Sequence, residues 1–199
     1  MARLRRSFFN RPTVTVARQL LGCYLVRRMG NRVVRVRIIE TEAYVGPKDK
    51  ASHASRGSTP RTQVMFGKAG CLYIYLVYGM YYCLNVVTER EGYPAAVLIR
   101  SSVKLGSSSF FVPYGTKNEQ NGFEISGPGR VCRALKIDKR LHGEDSVVSR
   151  QLWFEKGKLS QNEKIMTGKR IGIPYAGRWQ HKRWRFYIKK PSDRTIHWV

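Results

Sequence analysis

The longest apolar run of this 199-residue chain extends from Leu72 to Val87 and is interrupted near its middle by Gly79. A membrane-spanning helix needs about 20 consecutive apolar residues, so this broken run is too short for one. Apolar and aromatic residues on both sides of Tyr78 and Gly79 predict two core strands joined by a tight turn. We therefore expect an antiparallel β-hairpin over Gly70–Thr88, with Tyr78 and Gly79 at or near its turn.

A second informative strand is predicted over Arg32–Tyr44, where residue character alternates along the chain. Successive side chains of a strand point to opposite faces of the sheet. Counting by twos gives one face that begins apolar and ends acidic and aromatic: Val34, Val36, Ile38, Glu40, Glu42 and Tyr44. Such a change of character is typical of a strand that leaves the core and enters a cleft.

The rest of the chain predicts two helices and further short strands. One helix begins near Pro12, with Asn10 as its candidate cap, and stops at Gly22. A second helix opens at 126–129, and additional strands are expected over 23–28, 93–100, 152–154 and 184–188. Leu105–Asn121 is expected to be a surface excursion. Because the length suits one core and no domain boundary is visible, residues 1–199 should form a single domain.

The balance of charge is the unusual feature of the composition. Lysine and arginine number 37 against 13 aspartate and glutamate, which gives a formal net charge of +24 and a pI near 10.5. A surplus of this size favours a polyanionic partner, because each phosphate contact releases condensed counterions. An anionic membrane is the less favoured alternative, since no basic amphipathic helix stands out.

The N-terminus and the cysteines indicate an intracellular protein. Arg3, Arg5 and Arg6 are not followed by the apolar segment of a signal peptide. The four cysteines form no C-x-x-C pair and have apolar neighbours. We therefore expect buried thiols in a reducing compartment, and neither disulfides nor a zinc site.

Glu40, Glu42 and His53 are close in sequence to several tyrosines, which suggests an acid/base site beside a stacking surface. Either glutamate alone would be better interpreted as a solvated carboxylate at a strand end, and His53 alone as an ordinary surface histidine. Asn85, in an otherwise apolar strand, needs hydrogen-bond partners that a ligand could supply. The residue pattern leaves the functional and the structural interpretation evenly balanced.

The predicted hairpin turn gives a second functional hint. Tyr78 beside a turn glycine is poorly placed for burial, and a protruding aromatic residue on a basic protein suggests a wedge between DNA bases. The alternative is an aromatic hairpin that is simply buried. Three arginines are candidate phosphate contacts: Arg56, Arg61 and, at the start of the second helix, Arg130.

Together these residues resemble the alkyladenine (3-methyladenine) DNA glycosylase family over nearly the whole chain. The matching motifs are Ser7–Pro12, Ala17–Gly22, Glu42–Tyr44, His53, Tyr73–Tyr75, Tyr78–Met80, Cys83–Asn85, Arg100, Gly127–Gly129, Arg170–Ile173 and Trp184–Ile188. The resemblance implies an α+β (mixed α/β) domain with a curved antiparallel sheet, flanking helices and a protruding β-hairpin. It implies a monomer that acts on double-stranded DNA without a cofactor, a metal or a membrane.

The resemblance also implies the reaction and the residues that carry it. Alkylated purines would be excised, with hypoxanthine and ethenoadenine as further substrates in some members. Glu42 would activate water and Arg100 would help to place it. The base pocket would comprise Tyr44, His53, Tyr73, Tyr75 and Asn85, of which Asn85 disfavours guanine. Tyr78 would fill the vacated stack, flanked by Met80 and Tyr81. Ala54, Thr62 and the segment 105–121 depart from the family pattern, none of them at a catalytic position.

Two other classes of function remain open at this stage. A non-catalytic basic module that binds DNA or RNA accounts for the charge and the aromatic residues, but gives Glu42 no role. A metal-dependent nuclease could use Glu40, Glu42 and Asp49 as ligands, but a helper lysine at the expected spacing is not evident.

Overall fold

The computed structural model describes residues 1–104, 116–117 and 122–189. Its ten strands belong to one antiparallel sheet that is curled into a half-barrel. The elements are α1 (Arg6–Phe9), α2 (Thr13–Gln19), β1 (Tyr24–Met29), β2 (Arg32–Val45), β3 (Leu72–Val77), β4 (Tyr81–Val87), β5 (Ala95–Lys104), β6 (Thr116–Lys117), β7 (Phe123–Ser126), α3 (Pro128–Ala134), β8 (Leu152–Glu155), β9 (Lys164–Gly168) and β10 (Arg185–Lys189). Short 3₁₀ helices span His53–Arg56, Gln63–Phe66, Lys139–Leu141 and Pro174–His181. The predicted α+β class and curved sheet are confirmed.

Strand β2 is the centre of the sheet, because it pairs along both of its edges. Arg32–Arg37 pair with β1 on one edge, and the second half of β2 pairs with β5 on the other. β10 continues the first edge opposite Glu40–Glu42. The two glutamates therefore lie inside the sheet, with a strand on either side.

The pairing of β2 with β5 is irregular where β2 reaches the glutamates. Three consecutive pairs show the shift: Ile38 with Ser102, Glu40 with Ser101, and Thr41 with Ile99. Ile39 and Arg100 are left without a directly opposite residue. Extra residues of this kind redirect the side chains next to them and mark many active sites.

This irregularity changes which residues of β2 face the core. Before it, Val36 and Ile38 are fully buried in the hydrophobic core, and after it Ala43 takes that place. Thr41 also points inward, because its hydroxyl donates to the carbonyl oxygen of Ala17 in α2 at 2.8 Å. The prediction of one face running unchanged from Val34 to Tyr44 is therefore wrong, because the core-facing residues are even-numbered before the irregularity and odd-numbered after it.

Helix α2 packs its buried residues Val16 and Ala17 toward the sheet. Asn10 does not cap it, contrary to the prediction. The amide and the hydroxyl of Thr13 donate instead to Glu89 Oε1, at 2.9 Å and 2.7 Å. A carboxylate at this position satisfies free amides of the first turn and interacts favourably with the helix dipole.

The predicted hairpin is formed by β3 and β4, which pair from Leu72 and Val86 to Val77 and Tyr81. The Met80 amide donates to the carbonyl oxygen of Val77 at 3.1 Å and closes the turn. Tyr78 and Gly79, at its centre, both have positive φ, 52° and 69°. Type I′ turns require this conformation at both central residues, and their twist suits a hairpin.

The remaining predictions have mixed outcomes. The second helix forms as α3 and buries Val131 and Ala134. Leu105–Asn121 lies outside the described residues except for β6, which pairs with β7. All four cysteines are free and three are buried, whereas Cys71 is half-buried. None of the helices in the part of the chain that the structure describes could span a membrane.

Candidate active site

Glu42 lies in β2 between Leu98 of β5 and Arg185 of β10, and its side chain is fully buried. Both carboxylate oxygens accept hydrogen bonds. The Ile171 amide donates to Oε1 at 2.9 Å, and the Tyr44 hydroxyl donates to Oε2 at 2.8 Å. The carboxylate is therefore held in one orientation by the backbone of a distant segment and by its neighbour on the same face of β2.

Arg100 is the charged partner of Glu42, and its Nη1 lies 3.4 Å from Glu42 Oε1. Its Nε lies 3.3 Å from Glu40 Oε1, but no hydrogen bond of good geometry to this buried Nε occurs among the described residues. Glu40 is fixed independently, because it accepts from Ser101 Oγ at 2.6 Å and from Arg185 Nη1 at 3.0 Å. Arg100 thus lies against two carboxylates that other groups hold in place.

Burial is the largest influence on the pKa of Glu42 and raises it, although Arg100, the Ile171 amide and the Tyr44 hydroxyl each lower it. Desolvation disfavours the charged form of an acid, which explains the direction. Burial also raises the pKa of Tyr44 well above its usual value, so its hydroxyl stays protonated and remains a donor to Glu42. A buried carboxyl group with a raised pKa beside a cavity is a typical catalytic arrangement.

A cavity of about 470 Å³ opens next to this pair. Pockets that bind small molecules have volumes of about 300–1,000 Å³, and this cavity lies within that range. All five residues predicted for the base pocket line it, together with Arg100: Tyr44, His53, Tyr73, Tyr75 and Asn85. Glu42 itself lies beneath the wall, in contact with Tyr44, Arg100 and Ile171, which all line the cavity.

The aromatic residues of this cavity are held against one another. His53 Nδ1 lies 2.9 Å from the Tyr73 hydroxyl, and the His53 ring packs edge-on against Tyr75, with centroids 4.5 Å apart. Burial, reinforced by nearby Arg61 and Arg56, lowers the pKa of His53 to about 4. The imidazole is therefore neutral at pH 7, and each of its nitrogens offers a hydrogen bond without a charge.

Asn85 is buried in the wall of the cavity, but the protein itself satisfies its amide nitrogen. Its Nδ2 donates to the carbonyl oxygen of Tyr73 at 3.1 Å across the β3–β4 pair. We expected a ligand to supply the hydrogen-bond partners of Asn85, but for Nδ2 the protein backbone supplies one. The bond fixes the side chain in one orientation at the cavity surface.

The three residues predicted to intercalate lie at the exposed tip of the hairpin. Tyr78 is 86% exposed, Met80 69% and Tyr81 41%. Tyr78 also lines the cavity. The alternative of a buried aromatic hairpin tip is excluded, because an aromatic side chain with 86% exposure has almost no packing contacts to lose.

The three predicted phosphate contacts are separated by the fold. Arg56 and Arg61 line a basic depression that adjoins the cavity, and the Arg61 guanidinium lies 5.1 Å from the centroid of the Tyr75 ring. Arg130 is exposed on the first turn of α3 and lines neither space. The structure therefore brings two of the three cations to the candidate site.

An ion pair that sequence reasoning did not assign links the walls of the site. Arg170 and Asp49 are fully buried and bonded through two contacts, Nη1 to Oδ2 at 2.5 Å and Nη2 to Oδ1 at 2.9 Å. Arg170 also lies over the rings of Tyr44 and Trp184, at 4.9 Å and 5.1 Å. The sequence marks Arg170 as part of the Arg170–Ile173 motif, but no feature near it in the chain identifies Asp49 as its partner.

The same ion pair argues against the nuclease alternative. Asp49 accepts from Arg170 and from the amides of Val45 and Ala51, so both of its oxygens are occupied. Among the described residues no group of three or more histidine, cysteine, aspartate or glutamate side chains is arranged to hold a metal ion. The proposed ligand set of Glu40, Glu42 and Asp49 is therefore not brought together.

Comparison with known proteins shows the family of this chain. The family model described as methylpurine-DNA glycosylase matches residues 7–192. A protein of Methanocella arvoryzae is 47% identical, over 94% of this chain and 92% of its own, and one of Desulfitobacterium hafniense is 45% identical, over 95% and 96%. A third, from Legionella pneumophila, is 43% identical over 95% and 96%, and all three are named "Putative 3-methyladenine DNA glycosylase". The chain belongs to the methylpurine-DNA glycosylase family.

Proposed function

We propose that this protein flips alkylated purines out of duplex DNA into the aromatic cavity and hydrolyses their N-glycosidic bond with a water molecule activated by Glu42. Family membership and the names of its relatives support a DNA repair glycosylase for alkylated bases. The proposed substrates are 3-methyladenine and 7-methylguanine, with hypoxanthine and ethenoadenine as further candidates. The product is an abasic site in double-stranded DNA.

The observation that carries the proposal is the buried carboxylate of Glu42 beside an aromatic cavity that can hold a purine. A base inside a duplex is inaccessible, so its nucleotide must first be extruded at a cost of a few kcal/mol. Tyr75 and His53 offer stacking and edge contacts to an extruded base, and Tyr78 is placed to occupy the gap in the stack.

The chemical step needs one carboxylate when the base already carries a positive charge. As the glycosidic bond breaks, its electron pair leaves with the base and positive charge develops on the sugar. Glu42 stabilises that charge and takes the proton of the attacking water, while Arg100 orients the water. A neutral base such as hypoxanthine also needs protonation or a hydrogen bond, for which the neutral His53 is a candidate donor.

A non-catalytic binding module is the weaker candidate. A fully buried carboxylate with a raised pKa costs folding free energy, and a module that only binds DNA gains nothing from it. The basic depression lined by Arg56 and Arg61 and the exposed hairpin tip would serve both functions equally. Glu42 is therefore the residue on which the two candidates differ.

One assay separates the candidates. The protein is incubated with duplexes that each carry one lesion, in parallel with and without EDTA, and the products are heated to cleave abasic sites. Heat-dependent cleavage at the lesion supports the glycosylase. Intact DNA after heating favours the binding module, and strand cleavage that EDTA abolishes favours a nuclease. Release of the free base, followed by chromatography, gives an independent readout.

A further inference from the structure

A larger depression of about 1190 Å³ adjoins the aromatic cavity, and we call it the basic groove. Its walls carry five cations, namely Lys48, Lys50, Arg56, Arg61 and Arg178. No acidic residue of the described chain lines it. His53, Arg61 and Tyr175 line both the groove and the cavity, so the two spaces are continuous.

The loop that carries Lys48 and Lys50 presents a more basic surface to this groove than its sequence suggests. Asp49 stands between Lys48 and Lys50 in the chain, yet it is fully buried and paired with Arg170, whereas both lysines are exposed. The single negative charge of this loop is thereby removed from the surface. Lys48 and Lys50 are left facing solvent, and none of the described residues that line the groove carries a charge that would neutralise them.

The same arginine joins two segments that line the groove. Arg170 Nη2 bonds to Asp49 in the loop that carries the lysines, and also donates to the carbonyl oxygen of Trp179 at 3.2 Å. Trp179 follows Arg178 in the 3₁₀ helix Pro174–His181, which also lines the groove. The groove therefore exists before any ligand binds, which lowers the entropic cost of binding.

We propose that the basic groove holds the backbone of the DNA strand on one side of the flipped nucleotide, and that Lys48, Lys50 and Arg178 contact its phosphates. This inference rests on the proposed function. An extruded nucleotide stays bonded to its neighbours, so its strand must leave the cavity along the protein surface. A preformed groove that is continuous with the cavity and lined by cations suits that backbone, because phosphate contacts supply most of the affinity.

The experiment compares two charge-matched triple variants. Lys48→Ala, Lys50→Ala and Arg178→Ala are combined in one protein. Lys136→Ala, Lys139→Ala and Lys156→Ala are combined in the control, since these exposed lysines line neither the cavity nor the groove. Affinity for a hypoxanthine duplex is measured at several salt concentrations, with Glu42→Gln in every protein so that the base is retained.

We expect the groove variant to flatten the dependence of log affinity on log salt by roughly one unit for each cation removed, about three units in all. The control should change the slope far less. Two further duplexes, each ending beside the lesion on one side, locate the contact. Shortening the strand on the groove side should abolish the difference between the two variants, and shortening the other side should leave it intact.

Equal slopes for the two triple variants would overturn the proposal. A difference that survives both truncations, tested one at a time, would also overturn it, because the cations would then contact DNA away from the flipped strand. The proposed function is judged separately by base release from the unmodified protein. If that protein releases the base and the triple variants bind alike, the groove inference alone fails.

Discussion

Arg100 Nη1 lies 3.4 Å from Glu42 Oε1, and the two residues come from neighbouring strands, beside the stretch where the pairing of those strands is irregular. The irregularity leaves Arg100 without a directly opposite residue, and its guanidinium reaches both Glu42 and Glu40. An irregular pair of strands thus assembles the charged part of the candidate site.

Glu42→Gln should lower single-turnover base release by at least about 10²-fold, because an amide cannot take a proton from water. Affinity for lesion duplexes should persist, since the shape of the side chain is kept. Rapid quench of the reaction with enzyme in excess measures the rate of base release, and a binding titration measures the affinity. Glu91→Gln, at an exposed glutamate, is the matched control. Full activity of Glu42→Gln would refute the assignment of the base.

The rate of 7-methylguanine release should fall with decreasing pH around a midpoint above 4.5, the ordinary pKa of glutamate, because burial raises the pKa of Glu42. This lesion is already cationic, so protonation of the base does not complicate the profile. His53, whose pKa is about 4, would titrate below this midpoint. A profile that stays flat through this region would contradict the role of an ionised Glu42.

The same raised pKa fixes the sign of a stability effect. A folded-state pKa above the unfolded value means that Glu42 contributes stability at low pH and that this contribution is lost as pH rises through the folded pKa. As pH increases, the free energy of unfolding of Glu42→Gln should therefore increase relative to that of the unmodified protein. Urea titrations across this range measure the difference. A trend in the opposite direction would indicate a lowered pKa.

Glu40→Gln should reduce base release through its effect on Arg100, which lies 3.3 Å from Glu40. Glu40 also raises the pKa of Glu42 by charge repulsion, so its loss should move the acid limb of the pH profile to lower pH. A merely structural role would lower the amount of folded enzyme and leave the limb in place. The pH profile per active site therefore distinguishes the two roles.

Tyr78→Ala should weaken extrusion of the base by roughly 1–3 kcal/mol, the usual loss of a stacking contact. Tyr78→Phe should retain most of the effect. The melting temperature should hardly change, because the side chain is 86% exposed. The fluorescence of ethenoadenine responds to unstacking before excision and separates flipping from chemistry. A large loss of thermal stability with unchanged flipping would refute the wedge.

Asp49→Ala should destabilise the fold by about 3–5 kcal/mol, because it leaves the fully buried Arg170 without its countercharge. Base release per folded molecule should also fall, since Arg170 positions the segment whose Ile171 amide binds Glu42. Chemical denaturation measures the loss of stability. Base release, normalised to the folded fraction, measures the loss of activity. Asp138→Ala is the control, because its ion pair with Arg140 lies at the surface. Similar unfolding energies for the two variants would contradict the structural role.

The sequence alone determined the features that depend on neighbouring residues. Alternation along Arg32–Tyr44 and the glycine within Leu72–Val87 predict a strand and a hairpin, because side-chain periodicity and turn conformation are local properties. The family motifs also named the residues that line the cavity. What they do there is still a prediction.

The tertiary structure decided whatever depends on residues far apart in the chain. The Ile171 amide donates a hydrogen bond to the Glu42 carboxylate. At the start of α2 the Thr13 amide donates to Glu89, whereas the sequence suggested Asn10 as the cap. Neither pair leaves a trace in local periodicity. The change of face within β2 depends on how β5 pairs with it, which strand alternation cannot show. Asp49 lies between two lysines in the sequence, but a buried arginine 121 residues away turns it from a candidate metal ligand into an internal ion pair.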